Sequence, residues 1–247
     1  MRKKIIILFY FIFVLLGSLS LIFIPNAMKY KWGSMISIFV ILLPLAYYLI
    51  KEYGWIFCIK TLGVLSVYAM IIEYIGLTTG LPYGNFIYTG DLGYKINGIL
   101  PVTVGLSWAP LMIGSIAIAY ILTKNKIHRL ILPVLILVLF DLVLDPASVA
   151  VGMWKYADTG LYYDVPLQNF IGWFISGSIG SMIGYCLFKN TENKNILFLS
   201  YSFLISIVFW TLVSVFKGLW IPSIIGIMMI IICAVIHYKN EKDSKNQ

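Results

Sequence analysis

The chain has 247 residues, of which 61% are hydrophobic and only 11% are charged, and its mean hydropathy is +0.94. This composition excludes a soluble globular domain and is typical of an integral membrane protein. The net charge of +8 would suit nucleic-acid binding in a soluble chain. In a membrane protein, an excess of Lys and Arg more often reflects which loops lie on the cytoplasmic side, so no nucleic-acid partner is predicted.

Eight apolar runs are long enough to cross a bilayer as helices of about 20 residues. They cover residues 5–24, 34–50, 55–76, 101–123, 128–145, 167–187, 196–216 and 219–238. We therefore predict an all-α bundle of about eight transmembrane helices that forms one polytopic domain over residues 1–247. The first run is long and has no clear small-x-small cleavage site after it, so it is predicted to be a span and not a signal peptide.

The distribution of positive charge orients these spans. With the N-terminus placed inside, the predicted cytoplasmic segments hold 13 of the 18 Lys and Arg residues, and the outer loops hold the other five. This bias predicts a protein of the cell membrane with both termini in the cytoplasm. The two long connections, 77–100 and 146–166, then both lie outside, and long loops in compact bundles tend to be functional.

Three acidic residues, Glu73, Asp141 and Asp145, lie inside or at the edge of apolar spans. An ionisable side chain inside a bilayer is expensive and by default marks a working site. Asp141 and Asp145 are four residues apart and so share one helix face. Pro146 is predicted to end that helix, and Gly76 is predicted to cap the helix of Glu73, which would place all three carboxyls just below the outer surface.

These carboxyls are accompanied by aromatic residues in and beside the two long loops. A carboxylic acid in apolar surroundings can act as a general acid beside an ionised partner, and aromatic faces stabilise a nearby cation. Together they suit protonation of a lipid double bond followed by capture of water. No metal site or disulfide framework is predicted, because neither His has a second ligand nearby and the three Cys lie in apolar runs at mismatched depths. The aromatic candidates are Tyr83, Tyr88, Trp108, Trp154, Tyr156, Tyr162, Tyr163 and Trp173.

Residues 70–175 contain several spaced sequence blocks. The blocks are Glu73, Gly80-Leu81-Pro82-Tyr83-Gly84-Asn85-Phe86-Ile87-Tyr88, Pro101 with Trp108, Asp141 to Pro146, Gly152-Met153-Trp154, and Tyr162 to Pro166 followed by Asn169 and Trp173. In their order they resemble the membrane-bound carotenoid 1,2-hydratase family, which includes the bisanhydrobacterioruberin hydratases and the γ-carotene 1',2'-hydratases, and the whole chain shares the hydropathy of that family. One departure is Asp164, which stands where the family pattern has a glycine.

The resemblance implies addition of water to the terminal 1,2 double bond of an acyclic carotenoid, with no cofactor. Protonation at C2 would give a tertiary cation at C1, which water captures. Glu73, Asp141 and Asp145 become acid and base candidates, and Asn169 becomes a positioner of water or of a carboxyl. The implied partners are the apolar carotenoid, water, the lipid bilayer and other enzymes of carotenoid synthesis. The implied substrate-binding residues are Tyr83, Tyr88, Trp108, Trp154, Tyr163, Asn169 and Trp173.

Two other functions fit the same residues. A carotenoid or isoprenoid cyclase or isomerase would use the same protonation, but an alkene would capture the cation or a proton would leave. A lipid or pigment carrier, or a proton-coupled transporter, would need a relay of acids across the membrane. Glu73, Asp141 and Asp145 all lie in the predicted outer half, so the sequence favours an enzyme over a transporter.

Overall fold

The computed structural model describes residues 2–24, 27, 31–191 and 195–245. Lys29 and Lys194, which enter the charge count above, lie outside this part of the chain. Eight helices dominate it, and a short 3-10 helix, Ile196–Ser200, leads into the seventh. The helices are α1 Arg2–Phe23, α2 Lys31–Tyr53, α3 Trp55–Thr79, α4 Thr103–Leu122, α5 Lys126–Ala150, α6 Leu167–Phe188, α7 Tyr201–Phe216 and α8 Trp220–Lys245.

Within the described residues, eight helical segments are long and apolar enough to cross a membrane, the seventh being α7 together with the 3-10 helix before it. This confirms the predicted all-α membrane fold. Helix α4 is the central helix, and it packs against α2, α3, α5, α6 and α7. In contrast, α1, α2 and α8 expose many large apolar side chains, such as Phe11, Phe39 and Ile231. A bilayer accepts such surfaces, because lipid tails are as apolar as the side chains. The orientation of the termini stays a prediction.

Small residues allow α6 to approach its neighbours closely. Gly172, Ser176, Gly180 and Gly184 recur at intervals of four residues and are all buried. A Cβ at Gly180 would collide with the Trp108 ring of α4, and a Cβ at Gly184 would collide with an Ile116 methyl group. This is the small-residue packing by which membrane helices gain contact without a hydrophobic driving force.

Helix α5 does not end at Pro146, as the sequence predicted, but continues to Ala150. A proline inside a helix donates no hydrogen bond to the carbonyl four residues earlier, which here belongs to Leu142. The Tyr162 hydroxyl replaces that missing donor at 3.0 Å from the Leu142 oxygen. Asp145 therefore lies more than a turn inside the helix and not at its mouth.

The predicted cap of α3 at Gly76 is also wrong, since the helix continues to Thr79 and is capped by Gly80. Gly80 has φ 74°, a left-handed conformation that favours glycine, and its N–H donates to the Gly76 carbonyl. Gly76 is instead a packing position, because a Cβ there would lie 2.8 Å from the Tyr83 ring. Glu73 consequently lies almost two turns before the helix end.

The two long loops pair with each other above the helix ends. Strand β1, Phe86–Tyr88, lies antiparallel to β4, Trp154–Tyr156. A second small hairpin joins β2, Lys95–Ile96, to β3, Leu100–Pro101. In the first sheet, Phe86 lies opposite Tyr156 and Tyr88 lies opposite Trp154, with ring centroids 5.8 and 5.9 Å apart. These cross-strand aromatic pairs fix the loops over the ends of α3, α5 and α6, which we call the loop end of the bundle.

Candidate active site

The centre of the site is an amide that joins two carboxyls. Asn169, in the first turn of α6, donates from Nδ2 to Asp141 Oδ2 at 2.9 Å and also to Asp145 Oδ2. All three side chains are buried. Because the same nitrogen donates to both acids, the two carboxyl groups lie close to each other on either side of the Asn169 amide. The four-residue spacing on α5 thus places both acids toward α6.

The paired loop strands supply two further donors. The Tyr156 hydroxyl of β4 donates to Asp145 Oδ2 at 2.6 Å, and the Tyr88 hydroxyl of β1 donates to Glu73 Oε1. Burial raises the pKa of both phenols well above the usual range, and the nearby carboxyls raise it further. Both hydroxyls therefore keep their protons and remain donors. The β1–β4 sheet thus brings one tyrosine to each of two acids that come from different helices.

A cavity of about 250 Å³ opens directly onto this cluster. Glu73 and Asp145 both line it, together with Asn169 and the two donor tyrosines. Further aromatic side chains line the same cavity, namely Tyr83, Phe86, Trp108, Phe140, Trp154 and Trp173. The site is therefore a mostly apolar pocket with two carboxyls exposed to its interior.

Asp141 differs from the other two acids. It is fully buried and is not part of the cavity wall, and its Oδ1 has no hydrogen-bond partner among the described residues. Its contact with the site runs through Asn169. Asp141 is therefore placed to influence the protonation of Asp145, but it does not reach a molecule in the cavity.

Tyr163, one of the predicted substrate-binding residues, is not among the residues that line the cavity. Its hydroxyl accepts a hydrogen bond from the Ile221 N–H at 3.2 Å, and its ring packs in a cluster with Val14 and Phe209. Tyr163 and Asp164 both have positive φ, 51° and 64°. The position where the family pattern has a glycine thus does adopt the left-handed conformation that favours one.

No Lys, Arg or His occurs among the described residues that line the cavity. The hydrogen bonds found at the carboxyls come from neutral donors: the amide of Asn169 and the hydroxyls of Tyr88 and Tyr156. The part of the chain that the structure describes also contains no group of three or more His, Cys, Asp or Glu suited to holding a metal ion. The chemistry of these residues is that of acids and bases beside aromatic rings.

Sequence reasoning missed the far side of the cavity. Its wall continues onto α1 and α2 through Gly17, Ser20, Gly33, Ser34 and Ser37. The sequence feature that could have indicated this part of the cavity is the presence of small polar residues in otherwise apolar spans. That signal also marks ordinary helix packing, so only the tertiary structure separates the two cases.

The fold and the site define an all-α membrane protein with a buried carboxyl cluster beneath a lid of paired loops. Residues 32–233, most of the chain, match the family model described as carotenoid biosynthesis protein. The chain therefore belongs to the carotenoid biosynthesis protein family.

One curated relative is bisanhydrobacterioruberin hydratase of Haloarcula japonica, which is 36% identical to this chain over 126 residues. The match covers 49% of this chain and 43% of the relative, so less than half of that protein is represented. No solved structure matches the chain.

Proposed function

We propose that this protein hydrates the terminal 1,2 double bond of an acyclic carotenoid. The observation that carries the proposal is a pair of acids, Glu73 and Asp145, that face one aromatic cavity and are each held by a tyrosine hydroxyl. Family membership and the hydratase relative support the substrate class. The reaction consumes one water and yields a tertiary alcohol, so it balances without a redox partner.

Asp145 is the proposed proton donor. Its Oδ2 accepts two hydrogen bonds, from Tyr156 and Asn169, which leaves Oδ1 to carry the transferred proton. The O–H bond of Asp145 breaks as a C–H bond forms at C2, and the π electrons leave a tertiary cation at C1. Negative charge then develops on Asp145, where the two donors already point. Donors aligned in advance with developing charge are among the largest contributions to catalysis.

Asp141 has a positioning role in this proposal. Two carboxylates held by one amide repel each other, and sharing one proton lowers the energy of the pair. Asp141, which does not reach the cavity, thereby helps Asp145 to hold the proton until an alkene arrives. Replacing Asp141 by Asn should lower kcat with little change in KM, because the substrate does not touch it.

Glu73 is the proposed base for the second step. It lines the same cavity and is oriented by Tyr88. A water beside Glu73 attacks C1, its proton passes to the Glu73 carboxylate, and return of that proton to Asp145 through water completes the cycle. The rings of Trp154, Trp173 and Tyr83 surround the cation during its lifetime, and aromatic faces stabilise such a charge.

Expression in cells that accumulate lycopene, followed by mass spectrometry of the extracted pigments, tests the function. A gain of one or two waters is expected with the wild-type chain and is expected to disappear with Asp145→Asn. Asp158→Asn, which alters an exposed loop carboxylate, is the matched control and should retain the gain. An isomer of unchanged mass would favour a cyclase or isomerase, and no change with lycopene or an acyclic C50 carotenoid would contradict the proposal.

A further inference from the structure

The cavity extends well beyond the acids. From Asp145 and Glu73 it passes along the first half of α4, where Val104, Ser107 and Leu111 line it, and then reaches α1 and α2. The α1 and α2 residues on its wall belong to the C-terminal part of α1 and the N-terminal part of α2. The cavity therefore runs sideways beneath the loop end and not along the bundle axis.

The far side of the cavity coincides with a gap between two helices. Helix α1 packs against α7, and α2 packs against α3, α4 and α7, but in the described residues α1 and α2 hardly touch each other. One link between them is the Tyr10 hydroxyl, which donates to the Val40 carbonyl at 3.2 Å. Pro44 leaves that carbonyl without its helical donor. Gly17, Ser20, Gly33, Ser34 and Ser37 line the cavity between this link and the loop end.

The walls of this passage suit an apolar chain. Ser20, Ser107 and Ser206 each donate to a carbonyl of their own helix, at 2.7, 2.9 and 2.9 Å, so their hydrogen-bonding needs are already met. Leu21, Ile38 and Ile41 provide apolar surface. Among the described atoms, a Cβ built on Gly33 meets none within 4 Å, so the described part of the chain leaves the space beside it open. Among the described residues that line the cavity, the carboxyl side chains are those of Glu73 and Asp145, and they lie at the opposite end.

We propose that the gap between α1 and α2 is a lateral portal through which the end of a long acyclic isoprenoid passes from the bilayer to the acids. The proposal rests on the function above and adds the route and the binding path of the substrate chain. A polyene of this kind resides among lipid tails, so a direct opening from the bilayer spares it a passage through water. The terminal double bond reaches Asp145 and Glu73, while the rest of the chain lies against Leu111, Ile38 and Ile41.

Substitution of Gly33 tests the portal. Gly33→Phe places a ring in space that the described residues leave open, so the fold is expected to persist while the passage is blocked. Gly63→Phe on α3 is the matched control, because that exposed helical glycine also has no atom within 4 Å of a built Cβ and does not line the cavity. With purified protein in lipid nanodiscs, Gly33→Phe should lower kcat/KM for lycopene several-fold, and Gly63→Phe should match wild type. Equal rates in all three proteins would overturn the portal.

A binding measurement separates this inference from the hydratase proposal. Ser37→Cys is made in a Cys186→Ser background, because Cys186 is the exposed native cysteine whereas Cys58 and Cys233 are buried. Lycopene should slow labelling of Cys at position 37 by a membrane-soluble maleimide, and Gly33→Phe should reduce that protection. Protection without hydration would support the portal while contradicting the hydratase. Hydration without protection would leave the hydratase standing and overturn the portal.

Discussion

Removal of the Tyr156 hydroxyl tests whether the donors at Asp145 matter for chemistry. Tyr156→Phe keeps the ring that pairs with Phe86 but deletes the 2.6 Å hydrogen bond to Asp145 Oδ2. A hydrogen bond to a charged group contributes about 1.5–3 kcal/mol. If the full amount stabilises the carboxylate that forms as the proton leaves, kcat should fall roughly 10- to 150-fold, since ~1.4 kcal/mol corresponds to a factor of ten.

Tyr162→Phe is the matched control for that experiment. It also deletes a loop hydroxyl that bonds helix α5, but its acceptor is the neutral carbonyl of Leu142 at 3.0 Å. The expected effect is a loss of about 0.5–1.5 kcal/mol of stability without a change in kcat. Turnover in nanodiscs and thermal unfolding in detergent measure the two quantities. If Tyr156→Phe turned over at the wild-type rate, or if both variants lost activity equally, the assignment of Asp145 as proton donor would be wrong.

Three further results are expected. Glu73→Gln should abolish net hydration but should still allow deuterium from heavy water to enter the carotenoid end, because Asp145 can protonate C2 and take a proton back. If mass spectrometry of the carotenoid showed no deuterium, the two-acid scheme would be contradicted. Gly172→Ala should lower the free energy of unfolding by about 1–3 kcal/mol, because its Cβ would lie 2.6 Å from the Tyr83 ring, and the unfolding temperature should fall accordingly. Asp164→Gly should stabilise the protein, because the left-handed conformation at φ 64° costs a non-glycine residue roughly 1–2 kcal/mol and the extra chain entropy of glycine offsets only about 0.5–1 kcal/mol of that. An unchanged or lower unfolding temperature would argue against strain there.

Some features of the site could be predicted from the chain alone because they depend on local periodicity. A span is recognised by the length of an apolar run, and the eight runs correspond to the eight helices. The spacing of Asp141 and Asp145 places both on one face of α5 whatever surrounds that helix. The boundaries were less predictable: Pro146 does not end α5, because Tyr162, sixteen residues away, supplies the donor for the Leu142 carbonyl.

The sequence by itself determined that this is a membrane bundle with three acids out of place in apolar spans, since both facts follow from the cost of moving polar groups into lipid. Only the tertiary structure decided which acids meet the cavity. Asn169 reaches Asp141 and Asp145 because small residues bring α6 close to its neighbours, and Tyr88 and Tyr156 reach Glu73 and Asp145 because two distant loops pair as strands. The proposed opening between α1 and α2 depends on how each of them packs against other helices, and the hydrophobic pattern within either helix does not predict that packing.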